Sequence, residues 1–180
     1  MNKMNKKIYE SKKNCNGNCK CKNEVLKSNG ETVRKILDIG TSAMVEITKS
    51  DLNDFVKTEL LKGVERFQSI YTETYLDAID QFLKCISTLK CKVCKGFLSS
   101  LQNVTIGLYN QNIQQIINVI FPIDIDGYYS ALTELYRIEF SIIDCEYVAP
   151  PPPPPPPVLT SHITKLSKKN NLKMTMFNKK

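Results

Sequence analysis

From Val33 onward, apolar side chains return every three or four residues, the spacing that lines one face of an α-helix. Val33, Ile36, Leu37, Gly40, Met44 and Ile47 form the first such stretch, with Val45 and Ile47 allowing a strand at its end. The second is the longest. Leu52, Val56, Leu60, Val64, Phe67, Tyr71, Tyr75, Ile79, Phe82, Ile86 and Leu89 keep the step, with Lys57, Glu65, Glu73, Asp77, Asp80 and Lys84 between them. Ser50 or Asp51 is the expected N-cap, and Asp51 and Asp54 suit the positive end of the helix dipole. At 1.5 Å per residue the stripe predicts a helix of roughly 55 Å, with Gly63 as a possible kink. A helix that long must pack against shorter ones or pair with another chain as a coiled coil.

Lys90–Gly96 then predicts a turn. A further stripe follows: Phe97, Leu101, Val104, Leu108, Ile113, Ile116, Ile117 and Ile120, with Asn103, Asn110, Gln111, Asn112 and Gln114 on the polar face. It ends at Phe121-Pro122, because the residue before proline is pushed out of the helical region. Residues 122–127 predict a loop, and helical spacing resumes through Leu132 and Leu135. From Tyr136 to Ile143 the pattern alternates, which suits a strand as well as a helix; helix is the reading, since no partner strand is visible. The expected fold is all-α: a helical bundle of three to four helices, as a four-helix antiparallel bundle or a three-helix version with one helix broken.

Two segments fall outside this periodicity. Residues 1–30 are rich in Lys, Asn, Gly and Cys, too poor in apolar surface to offset ordering entropy, and predict a disordered basic arm. At the other end, Pro150, Pro151, Pro152, Pro153, Pro154, Pro155, Pro156 and Pro157 follow one another without a break. Proline fixes φ and lacks an N–H, so residues 149–157 predict a polyproline II rod, about 25 Å long. The domain reading is therefore an arm at 1–30, a helical body at 31–148, the rod, and a tail at 158–180.

Charge sharpens that division. The net +7 splits into +6 for residues 1–30, −5 for 31–157 and +6 for 158–180. Basic ends on an acidic body are the parts that would meet nucleic acid, an anionic membrane or an acidic protein surface. Only Arg34, Arg66 and Arg137 are arginine, which argues against a dedicated phosphate reader. No apolar run reaches the ~18 residues of a membrane span, and no apolar stretch follows the lysines of Met1–Lys7 to make a secretory signal. A cytoplasmic location is expected, and with it cysteines that stay reduced or bind metal.

Cys91-x2-Cys94 has the spacing of a zinc knuckle, and Cys15, Cys19 and Cys21 would supply further thiolates. A structural zinc on Cys19, Cys21, Cys91 and Cys94 is the weaker alternative to scattered thiols, with Cys85 and Cys145 as small core hydrophobes. Asp124-x-Asp126-Gly127 lacks the other ligands of a calcium loop and predicts turn chemistry. His162, the lone histidine, has no acid or serine constellation near it, and neither phosphate-loop nor dinucleotide glycine pattern occurs. The reading is non-enzymatic, with no cofactor.

The tail, VLTSHITKLSKKNNLKMT from Val158 to Thr175, places Leu159, Ile163 and Leu166 on one face of a short helix. Lys165, Lys168 and Lys169 flank them, and Leu172-Lys173-Met174-Thr175 follows. It resembles the WASP-homology-2 motif, which binds actin monomers. The resemblance implies that Ile163 and Leu166 anchor in an apolar cleft of actin. Leu172 and Lys173 would begin the extended L-K-K-T step, with Thr175 as its last position; Met174, Lys169 and His162 depart from the family pattern. In proteins of that type a proline-rich rod recruits profilin or another proline-reading domain beside the actin site. The functional expectation is an adaptor for these partners. The alternative is a structural, oligomerising protein whose basic ends bind nucleic acid or anionic membrane.

Overall fold

The computed structural model describes residues 19–85, 91–118 and 124–154. Four helices account for most of them: α1 (Cys19–Lys49), α2 (Asp54–Cys85), α3 (Cys91–Ile117) and α4 (Ile125–Ile142), with no strand among the described residues. Tyr136–Ile142 is therefore helical, as expected. The helices alternate in direction. Thr32 on α1 meets Tyr75 on α2 and Gln102 on α3; Phe67 and Phe82 on α2 lie level with Tyr128 on α4 and Phe97 on α3. The result is an all-α, up-down-up-down bundle in which α1 packs mainly on α3 and α2, and α4 on α3 and, more thinly, α2.

The elements differ from the sequence pattern at their edges. α1 starts at Cys19, inside the segment expected to be a free arm. Val25 is buried, and Glu24 on α1 pairs with Lys95 on α3 at 3.5 Å, so tertiary contact holds a helix whose own apolar content is low. The cap of α2 is Asn53, not Ser50 or Asp51: its Oδ1 accepts the Val56 N–H at 3.0 Å. α2 runs through Gly63 as one helix, and its buried face, Leu60 to Phe82, is covered within the chain. From Cys91 on, the segment expected to be a turn is instead the start of α3, and Lys90 lies outside the described residues. Asp124 accepts the Gly127 N–H at 2.9 Å and caps α4, so its turn chemistry is N-capping.

The core is built from tyrosines and small polar groups as much as from aliphatics. Tyr71, Tyr75, Tyr109 and Tyr136 are fully buried. A buried hydroxyl is costly without a partner, and those of Tyr71, Tyr75 and Tyr136 have one, whereas Tyr109 Oη has none. Asn112 Nδ2 donates to Tyr71 Oη at 2.5 Å, and Thr105 Oγ1 lies 2.6 Å from Tyr136 Oη. The Thr32 hydroxyl donates to the Ser28 carbonyl, receives from Gln102 Nε2 and lies 3.1 Å from Tyr75 Oη, joining three helices. Asn112 thus leaves the polar face to which its type assigned it, while Leu37, expected in the core, is 43% exposed.

Candidate functional site

After α4 the chain reverses. Asp144 takes a left-handed conformation (φ 56°), the Cys145 N–H bonds to Phe140 O, and the Asp144 N–H bonds to Ser141 O. This is a Schellman ending with an aspartate where glycine is usual. The reversal sends residues 145–154 back along the bundle in the seam between α2 and α4, which pack on each other more thinly than either packs on α3.

Four sets of contacts fix this strap. Cys145 is disulfide-bonded to Cys85 at the end of α2, with Cα atoms 6.5 Å apart, within the range such bonds allow. Tyr147 is buried, its ring 5.6 Å from Tyr136 and 5.2 Å from Phe140. The Gln81 side-chain amide donates to Val148 O and accepts from Val148 N, both at 2.9 Å. The Tyr129 hydroxyl donates to Pro150 O at 2.6 Å, and the Arg66 guanidinium donates to Pro154 O. Burial, with the Asp77 carboxylate nearby, raises the pKa of Tyr129 and keeps it a donor.

The burial pattern along the strap has a period of three. Tyr147 is buried, Pro150 and Pro153 are half-buried, and Val148, Ala149, Pro151, Pro152 and Pro154 are exposed. A polyproline II helix has three residues per turn, so a docked one hides one edge and leaves two in solvent. The rod expected to separate body from tail thus lies, through Pro154, on the body itself. Pro155, Pro156, Pro157, Leu159, Ile163, Leu166, Leu172 and Lys173 lie outside the described residues.

The cysteines do not follow the sequence reading. Cys85 and Cys145, expected as reduced core thiols, form a bridge across sixty residues. Cys94 is fully buried and also disulfide-bonded, which removes it from the set Cys19, Cys21, Cys91 and Cys94 considered for zinc. Among the described residues no cluster of three or more metal-ligating side chains is placed to hold an ion. The alternating helices nonetheless bring positions 19, 21, 85, 91, 94 and 145 to one end of the bundle.

Sequence reasoning missed Arg66, Gln81 and Tyr129, which read as ordinary solvated or core positions on amphipathic helices. Their partners are backbone carbonyls, which carry no side-chain signature. Among the described residues no helix is long and apolar enough to cross a membrane. Comparison of the chain with protein-family models, curated proteins and solved structures finds no match.

Proposed function

We propose that this chain is a non-enzymatic adaptor whose helical body displays a proline run to profilin or another proline-reading domain, with monomeric actin taken by residues 159–175. The observation that supports it is the edge pattern of the strap. Pro150 and Pro153 face the body, while Pro151, Pro152 and Pro154 face solvent on a segment already held in one conformation. Proline-reading domains gain affinity because a polyproline II ligand loses little entropy on binding. Pinning the rod to a folded body lowers that cost further. A proline-reading partner and actin held on adjacent segments would each raise the other's effective concentration.

The actin half of the proposal rests on the resemblance of the tail. It is tested by titrating actin monomers with the intact chain and with Leu166→Ala and Leu172→Ala. Micromolar binding that each substitution weakens is expected, since both remove apolar anchors and no charge. Binding only to polyanions, lost steeply as salt rises, would replace it with the nucleic-acid or anionic-membrane reading.

A further inference from the structure

The seam between α2 and α4 matches its occupant chemically, group by group. A proline-rich segment offers carbonyl acceptors and no amide donors. The body meets the prolines with donors only: the Tyr129 hydroxyl at Pro150 and the Arg66 guanidinium at Pro154. At Val148, which with Ala149 is one of the two positions of 148–154 that keep an N–H, the body presents Gln81, whose amide both donates and accepts. Spacing matches as well. Gln81 and Arg66 are fifteen residues apart on α2, about 22 Å along a helix, and their partners Val148 and Pro154 are six residues apart, about 19 Å along a polyproline II rod. The half-buried prolines recur at the three-residue step that such a rod imposes.

From this complementarity we infer that the α2–α4 face is itself a polyproline-reading site, filled in cis by residues 148–154. The ligand class is a left-handed, proline-rich peptide read through its main-chain carbonyls. The chain's own strap is the resident ligand, and a proline-rich segment of another molecule competes for the face only when the strap leaves it. The site does not depend on an outside domain taking the exposed edges, so its test needs only this chain.

In the full-length chain, the five prolines from Pro150 to Pro154 are replaced by serine, which keeps the carbonyls but restores an N–H at each position and removes the stiffness. Helical circular dichroism establishes that the body is folded. A fluorescent peptide of residues 148–157 is then titrated into both chains. The serine chain should bind at least tenfold more tightly than the original, whose strap blocks the face. Adding Arg66→Ala or Tyr129→Phe to the serine chain should weaken binding about tenfold each, the scale of a lost hydrogen bond with a charged or buried donor. In the NMR spectrum, the Gln81 amide and Arg66 Nε–H signals should shift between the two chains. Peptide binding that is equal in both chains, absent from both at millimolar peptide, or indifferent to Arg66 and Tyr129 overturns the inference. So do unmoved Gln81 and Arg66 signals.

Discussion

Gly40 sits where α1 meets the side chains of Gln68 and Tyr109. A Cβ there would lie 2.5 Å from Gln68 Oε1 and 2.8 Å from Tyr109 Oη. Gln68 can shift, but the Tyr109 ring is fully buried against Tyr71 and cannot. Gly40→Ala should therefore cost about 1–2 kcal/mol in urea unfolding despite its better helix propensity. Gly107→Ala meets nothing within 4 Å and should gain about 0.5–1 kcal/mol by the same measurement, because alanine loses less backbone entropy than glycine inside a helix. The tyrosine core makes a second prediction. Burial raises the pKa of Tyr71, Tyr75, Tyr109, Tyr136 and Tyr147 above the ordinary 10.0. The folded state then holds protons that the unfolded state releases, so their contribution is intact below pH 10 and falls as pH rises beyond it. Each such tyrosine removes about 1.4 kcal/mol per pH unit above that point. Tyrosinate absorbance should appear together with loss of helix; tyrosinate forming in a still-helical protein would count against this core.

At the scale of the element, helix ends are decided by a few hydrogen bonds. Asn53→Ala removes the N-cap of α2 and should cost about 0.5–2 kcal/mol. Asp144 holds a left-handed conformation that costs a non-glycine residue about 1–2 kcal/mol. Asp144→Gly should thus raise the thermal midpoint, and a fall would mean that the strap does not reverse there. The helices were legible in the sequence because Leu60, Val64, Phe67, Tyr71, Tyr75 and Phe82 repeat one face for six turns. The first turns of α1 were not, since only Val25 and Leu26 among Cys19–Gly30 are large and apolar, and their support comes from α3. Asn112 was misplaced, and Thr105 was not singled out, for a related reason: a polar side chain reads as solvated until its buried partner, here a tyrosine hydroxyl, is known. The proline rod was legible from covalent geometry alone. Its docking was not, because the carbonyls that Tyr129 and Arg66 bind look the same in every sequence.

For the whole molecule, the strap ties the last helix to the second. The Cys85–Cys145 bridge closes a loop of sixty residues, and its reduction should lower stability by roughly 2–4 kcal/mol, read from urea unfolding with and without reductant. Bundle topology explains why sequence spacing missed it: alternating helices place the ends of α2 and α4 side by side however far apart they are along the chain. The same topology gives the proposed adaptor its form, a folded acidic body carrying a stiff ligand that shows two edges of three. The most direct test is calorimetric titration of profilin into the intact chain and two variants. One carries Pro151→Ser, Pro152→Ser and Pro154→Ser on the exposed edges; the other carries Pro150→Ser and Pro153→Ser on the docked edge. The expected result is a loss of tenfold or more for the first and a smaller loss, about threefold, for the second, which loosens the docked rod but keeps its outer edges. Equal losses in both, or no binding by the intact chain, would contradict a proline run presented by its outer edges.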